Sequence, residues 1–486
     1  MKKGCDMDSS KISNQPISRR TALGLGGIAA VVGASMVSVS APALAASTPQ
    51  IVNGVSGTVP AILASSKFPI AAYWPGHPYA TTDAVYAGIA TAGFNLVLGN
   101  PYLMAGSAST GALEYAAAHG LQYVVYDQFT MTYTDGPIPL TSAQANSSTQ
   151  ATTASYGSYS AFGGLYLNDE VLPGRAAYLA PFHAAVRSAN PLALPYMNLL
   201  PAEYPSFGPD TARAANYTAY VQDYIDTVGP TFLSTDSYPL LYDGTDNTTA
   251  WYQTLSIIRD RGIANGLQYW GFIQSIGFGH IASSPSSGNR VPTAAEIRWQ
   301  ANTLLVFGYS GIQYFTYWTP DPLRAGLPIT SPDRANFFTG GLVSTDGAQG
   351  ALWNAAKDFN PQLQQNGALL KGQNSLYLQN VSATPTADNI WTVFPDIFVA
   401  SSTRASIWLG QFGGNTTQNA RLFFFANQSH TSQQSTTITF NSGVTSVTNI
   451  GATVYGTTAN ITTSGGTYSA AVSLGPGESV LLRIAR

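Results

Sequence analysis

Residues Phe162–Glu170 read FGGLYLNDE. Two glycines open the stretch, alternating apolar residues carry it, and an Asp–Glu pair ends it. A buried strand has this texture when it delivers carboxylates to the rim of a barrel. Two adjacent carboxyl groups among aromatic neighbours point to acid–base chemistry on a neutral, hydroxyl-rich substrate. Asp169 and Glu170 are therefore the first candidate site residues.

Working outward, seven more short apolar runs resemble this one: Phe68–Trp74, Phe94–Leu98, Leu121–Asp127, Leu192–Leu199, Thr231–Tyr238, Leu267–Gln274 and Gly311–Trp318. The segments between them carry helical spacing and stop signals. Ala87–Gly93, Leu113–Gly120 and Ile257–Gly262 end on glycine, and Asp210 is placed to cap a helix running toward Val228. Thr141–Ser160, rich in Ser and Thr and nearly free of charge, carries the faintest helical signal. Eight strand–helix alternations predict an α/β fold, a (β/α)8 TIM barrel rather than an open sheet. After Lys371 the sequence turns β-branched and turn-rich. Arg421–Ala426, Thr436–Phe440 and Ser479–Ile484 read as strands, with Gly475-Pro476-Gly477 as a turn. An antiparallel β-sandwich is expected there. The expected organisation is residues 1–45 as a signal, 46–372 as the barrel and 373–486 as the sandwich.

The signal reading rests on Ser18-Arg19-Arg20-Thr21-Ala22-Leu23, a twin-arginine pattern, followed by a mild apolar run from Leu23 to Val39. Ala43-Leu44-Ala45 has the small residues of a cleavage site, so the expected mature chain starts at Ala46 and is secreted or periplasmic, with no membrane segment left. Cleavage takes the 21 basic and 24 acidic residues to 16 and 22, moving the net charge from −3 to −6. It also removes Cys5, the only cysteine, leaving neither disulfide nor thiol nucleophile. Only 9% of residues are charged, yet 45% are hydrophobic, enough for a large core. No basic stripe exists for nucleic acid. An uncharged polar surface suits a protein that meets neutral polymers.

Chemistry in such a barrel sits where its strands end at the C-terminal face. The first strand ends at Trp74 with His77 beyond, the second at Asn100, the third at Asp127, the fourth at Asp169 and Glu170. The fifth ends at Asn198, the sixth at Asp236 and Tyr238, the seventh at Gln274 with His280 beyond, and the eighth at Tyr317 and Trp318. Acids, amides and aromatics on one rim suit a carbohydrate: carboxylates to move protons, amides for hydroxyls, ring faces to stack on pyranoses. Glu170 is the candidate acid, with desolvation and a like charge expected to raise its pKa. Asp169 or Asp236 is the candidate second carboxylate. Each has a structural alternative: Asp169–Glu170 as the cap of a helix starting near Leu172, Asp236 as an Asx-turn before Pro239, Asp127 as the anchor of a loop. Glu296 has capping-box spacing with Thr293, ahead of a helical run Ile297–Phe307, and Glu203 reads as a solvated loop acid. The five histidines are scattered, so neither a metal site nor a cofactor is expected.

Three segments resemble the clan-A type of (β/α)8 glycoside hydrolases. Gly164–Glu170 (GLYLNDE) is similar to the strand-four segment that ends in the acid/base glutamate. Arg298–Pro320 (RWQANTLLVFGYSGIQYFTYWTP) is similar to the helix-seven to strand-eight segment of family-42-like β-galactosidases, and Arg421–Arg486 to the sandwich behind such barrels. The resemblance implies a glycosidase with Glu170 as general acid/base. The chain departs from that pattern twice. Asp169 intervenes between Asn168 and Glu170, and Gln274 stands where the family places its nucleophilic glutamate. An amide cannot attack as a carboxylate does. Three readings stay open: a hydrolase using Asp236, a substrate-assisted N-acetylhexosaminidase using the Asp169–Glu170 pair, and a non-catalytic carbohydrate-binding protein on the same scaffold.

Overall fold

The structure is a computed structural model, and it describes residues 57–77, 80–99, 107–134, 139–280, 288–321, 337–381, 397–403, 405–414, 419–451 and 456–486. The twin-arginine segment and Asn100 lie outside the described residues. Strands β1 (Ile70–Tyr73), β2 (Leu96–Leu98), β3 (Gln122–Tyr126), β4 (Phe162–Val171), β5 (Leu194–Leu199), β6 (Phe232–Thr235), β7 (Gln268–Gln274) and β9 (Gly311–Phe315) close into one barrel. All eight neighbours pair in parallel, β9 returning to β1. Each of the eight runs read from the sequence as a barrel strand overlaps one of these strands.

Alternation along each strand sorts the side chains. Leu165 and Leu167 point outward into the layer between strands and helices, whereas Tyr166 points into the lumen. The lumen is mostly aromatic: Tyr73, Tyr166, Tyr196, Phe232, Trp270, Phe272 and Phe315 fill it. Each such ring, fully buried, contributes roughly 1.5–3 kcal/mol. Two-residue strands β8 (Gly277–Phe278) and β10 (Phe338–Thr339) pair antiparallel beyond the ends of β7 and β9. Leu241 and Phe278 both bridge to Asn289. A small rim ladder thus lies beside the mouth on the β6–β9 side. The opposite end is plugged by the short helix Ala61–Ala64, whose Ile62 and Leu63 enter the lumen cluster.

Some helices differ from their sequence reading. Thr141–Ser160 does form a helix, Ser142–Tyr156, opened by a capping box between Thr141 and Gln144. Asp210 is the first helical residue instead of the cap; Pro209 takes the cap position and Asp210 pairs with Arg213. Gly262 does not end its helix, which spans Thr248–Ala264; it lies inside because a Cβ there would come 2.4 Å from the Tyr269 ring. The long helix Ala351–Lys371 was hidden by Pro361 and Gly367 within it.

The sandwich has a five-stranded sheet and a four-stranded sheet. In the first, β11 (Asn374–Asn380), β13 (Ile407–Gly413), β14 (Ala420–Asn427), β19 (Ser479–Ala485) and β16 (Ser446–Asn449) lie in that order. In the second the order is β12 (Val399–Ser402), β15 (Gln434–Phe440), β18 (Thr467–Leu474) and β17 (Asn460–Ser464). The Gly475-Pro476-Gly477 turn docks on the barrel helix Ala294–Val306, where Asn302 Nδ2 donates to Gly477 O at 2.8 Å. That helix opens with the expected Thr293–Glu296 capping box, and Glu296 pairs with Arg290 at 2.7 Å.

Gly164 is the tightest point of the wall around β4. A Cβ there would sit 2.0 Å from Leu194 O on β5. Gly164→Ala is expected to cost about 3 kcal/mol or more by forcing the two strands apart. Urea unfolding of variant and wild type measures this.

Candidate functional site

The C-terminal end of β4 is built unlike its neighbours. From the Tyr166–Tyr196 pair to the Val171–Leu199 pair, β4 spends two more residues than β5, in two register shifts. Such bulges re-aim side chains. Asp169 and Glu170 fall in this overlong stretch. Glu170 takes φ 52°, in the left-handed region that costs a non-glycine residue of order 1–3 kcal/mol. Trp74, past the end of β1, does the same at φ 59°. Residues so held cluster at working sites.

Both carboxylates of the pair are buried, Glu170 with 0% exposure. The Tyr166 hydroxyl, inside the lumen, donates to Asp169 Oδ1 at 3.0 Å. The helix-cap alternative does not hold. The next helix starts at Ala176, and Arg175 occupies its N-cap position without a side-chain cap. Asn168 points its amide to Thr134 O at 3.2 Å, where Arg175 also donates.

Asp236 follows β6 and is likewise buried. Asn198 Nδ2, at the end of β5, donates to Asp236 Oδ1 at 2.5 Å. Ser234 Oγ donates to Asn198 Oδ1 at 2.9 Å, and Gln313 Nε2 on β9 donates to Ser234 Oγ at 3.0 Å. The Tyr196 hydroxyl donates to Gln313 Oε1 at 2.5 Å. A polar chain therefore crosses the lumen from β9 to the acid on β6. Tyr166 and Tyr196, which support the two acids from below, lie with ring centroids 4.5 Å apart.

Glu203 corrects the sequence reading. It is 8% exposed, not a solvated loop acid. Ser237 Oγ donates to one of its oxygens at 2.5 Å and Thr254 Oγ1 to the other at 3.1 Å. Burial pushes its carboxyl up to about 6; the hydrogen bonds from Ser237, backbone and Thr254 oppose this, and the Asp236 charge adds to it.

Several expected ligand contacts serve the protein instead. Gln274 uses its amide on backbone: Oε1 accepts from Leu240 N at 3.2 Å, while Nε2 donates to Leu240 O at 3.2 Å and Arg290 O at 2.5 Å. It ties down the loop after β6 and the 289–290 segment of the rim ladder. Asp127 caps the helix Gln128–Thr134, Oδ1 accepting from Thr130 N at 2.8 Å, and Tyr156 donates to Oδ2 at 3.0 Å. His77 Nε2 accepts from Asp321 N at 2.9 Å. Tyr317 and Trp318 lie in the outer layer, not the lumen. The Tyr317 hydroxyl accepts from Trp353 Nε1 at 3.2 Å, and a Cβ on Gly76 would come 3.3 Å from the Trp318 ring. Trp74 and Tyr238 do reach the lumen end. There Trp74 packs on Phe338 at 5.6 Å, and Tyr238 on Phe278 at 5.2 Å and Phe315 at 5.3 Å.

Tyr166 and Ser234 were missed in the sequence, and Glu203 was misread. Tyr166 and Ser234 are legible in hindsight as polar groups at inward strand positions. Glu203 follows Leu199-Leu200-Pro201-Ala202, an apolar run that continues past the strand and stays buried. Among the described residues no three His, Cys, Asp or Glu groups are placed to hold a metal ion.

No family model matches the sequence, and no curated protein matches it. Solved structures that it resembles include a glycoside hydrolase family 5 protein from Bacteroides vulgatus (10% identity, 86% of this chain, 89% of that one, TM-score 0.47). Others are a GH27 β-L-arabinopyranosidase from Geobacillus stearothermophilus (10%, 87% and 97%, 0.43) and a β-galactosidase from the psychrophilic Marinomonas ef1 (10%, 64% and 62%, 0.44). The chain thus spans 62% of the β-galactosidase's length.

Two outcomes are expected. The raised Glu203 pKa means that the folded state binds this proton more tightly than the unfolded chain. Its contribution to stability therefore falls as pH rises from 4.5 to about 6 and is flat above, by about 2 kcal/mol. Denaturant unfolding from pH 4 to 7 should show this slope in wild type relative to Glu203→Gln. Second, Gln274→Glu places a carboxylate against Leu240 O and Arg290 O. It should cost about 1–3 kcal/mol in the same assay at pH 7.

Proposed function

We propose that this chain is a glycoside hydrolase in which Glu170 protonates the leaving glycosidic oxygen and Asp236 is the second carboxylate. The observation that carries the reading is the delivery of buried acids from two strand ends, β4 and β6, to one end of a closed parallel barrel. At Glu170 the strained backbone supports it further. In the forward step the Glu170 carboxyl O–H bond breaks as its proton passes to the glycosidic oxygen, whose bond to the anomeric carbon cleaves. Asp236 either attacks that carbon or takes a proton from the water that does. The amide of Asn198 holds the Asp236 carboxylate in one direction, which shortens the search for the reactive pose. Trp74 and Tyr238, packed on Phe338, Phe278 and Phe315, form the aromatic floor of that barrel end. The uncharged polar composition and the twin-arginine pattern support export and a neutral polysaccharide or oligosaccharide as substrate. Among the described residues no helix is long and apolar enough to cross a membrane.

A second reading has its own support. Asp169 sits beside Glu170 and accepts from Tyr166, which keeps it oriented toward the lumen side. Such an acid suits a substrate-assisted reaction, where it would accept the acetamido N–H of an N-acetylhexosaminide.

Hydrolysis of a panel of aryl glycosides, including N-acetylhexosaminides, tests both. Glu170→Gln is expected to lower kcat by about 10²–10⁴-fold with glycan binding retained, and Asp236→Asn to do the same on plain pyranosides. A near-normal Asp236→Asn rate with turnover confined to N-acetylhexosaminides transfers the second role to Asp169. A wild type that binds glycans yet turns over none of the panel makes the chain a binding protein.

A further inference from the structure

Glu203 has the geometry of a working part, although it stands behind the site. Its loop leaves the end of β5 and its side chain reaches the residues just beyond β6. One oxygen accepts from Ser237 and the other from Thr254 on the helix Thr248–Ala264. Thr254 Oγ1 also accepts from Ala202 N at 3.0 Å, so the glutamate's own loop is fastened beside its carboxylate. Ser237 is the next residue after Asp236. The chain beyond β5 therefore grips two consecutive residues beyond β6: Asn198 holds the Asp236 side chain and Glu203 holds Ser237. One tie would leave the peptide free to pivot about it. Two ties fix the direction in which Asp236 points.

We infer that Glu203 is a positioning residue of the candidate site, aiming the Asp236 carboxylate through Ser237 and setting a like charge near it. This deepens the proposed hydrolase reading and rests on it for the role of Asp236. A buried carboxylate costs more than the exposed amide or hydroxyl that could brace a loop equally well. Its charge is thus the feature that a purely structural brace would not require.

The groups that face Glu203 are few. From beyond β6 comes Asp236, whose charge opposes the ionisation of Glu203. From the helix Asp210–Val228 comes Tyr217, a phenol that burial holds protonated and whose oxygen lies 3.3 Å from Thr235 Oγ1. From the helix Thr248–Ala264 comes Thr254, which does not titrate. The Asp236 charge raises the Glu203 carboxyl less than burial does. In Glu203→Gln the like charge vanishes, so Asp236 should ionise at lower pH.

The test is a carboxyl ¹³C NMR titration of the full chain labelled at Asp and Glu, run on wild type, Glu203→Gln and Ser237→Ala, with Asp236→Asn to assign the Asp236 signal. Wild type should show a glutamate titrating near 6 that is lost in Glu203→Gln. In that variant the Asp236 midpoint should move down. On the best aryl glycoside of the panel, both Glu203→Gln and Ser237→Ala should lower kcat by about 10- to 100-fold with KM little changed. The acidic limb of the pH–rate profile should shift in Glu203→Gln. An Asp236 midpoint and a pH–rate limb both unmoved in Glu203→Gln would overturn the inference, as would a full kcat in Ser237→Ala. The titration is read without substrate. An inert wild type would therefore defeat the hydrolase reading while the midpoint still decides whether the Glu203 charge acts on Asp236.

Discussion

The mismatch in length between β4 and β5 is the constraint on which the site depends. Parallel neighbours in a closed barrel advance together, and any surplus must be expelled at a strand end. Here the surplus is two residues, and the stretch that absorbs it holds Asp169 and Glu170. The wall below cannot yield, because Gly164 lets the β4 backbone lie directly against Leu194 on β5. The surplus over β5 is therefore taken up at the mouth, where Glu170 adopts a left-handed backbone, while a separate shift against β3 lies lower, between Phe162 and Gly164. Asp169 is thus accommodated by the strand with Glu170 still at the barrel end.

Around that strand end, labour is divided by what each side chain can do with hydrogen bonds. Amides both donate and accept, so they mate with backbone and with each other. Gln274 closes on Leu240 as a strand neighbour would, and Asn289 Nδ2 donates to Tyr238 O and Leu240 O at 3.2 Å each. A carboxylate accepts only, and could not replace Gln274 there. This gives a physical reason for the amide at the end of β7, and the proposed reading accordingly places the chemistry on β4 and β6. The acids are instead supported by donors: Tyr166 for Asp169, Asn198 for Asp236, Ser237 and Thr254 for Glu203.

The barrel was legible because its signals are local. Short apolar runs such as Leu121–Asp127, the Thr293–Glu296 capping box and the Gly475-Pro476-Gly477 turn each carry their meaning within a few residues. The site was legible only in part, because direction is not local. Trp318 and Tyr317 follow a barrel strand as Trp74 does, yet they face the outer layer, since the chain after β9 bridges to Val343 and runs outside the mouth. Asp127 has the same strand-end position as Asp236 but is claimed by the helix that starts one residue later. Glu203 looked solvated because its partners, Ser237 and Thr254, are 34 and 51 residues away in the chain.

On the proposed function, a sugar is held and cleaved between the β4 and β6 acids. The most direct measurement is a crystal structure of the Glu170→Gln variant with the oligosaccharide that wild type turns over fastest. A pyranose ring is expected at the C-terminal mouth of the barrel, its glycosidic oxygen within hydrogen-bond reach of residue 170 and its anomeric carbon facing Asp236. A ring bound at the opposite end of the barrel or on the sandwich, with Asp236 turned away from it, would contradict the proposed function.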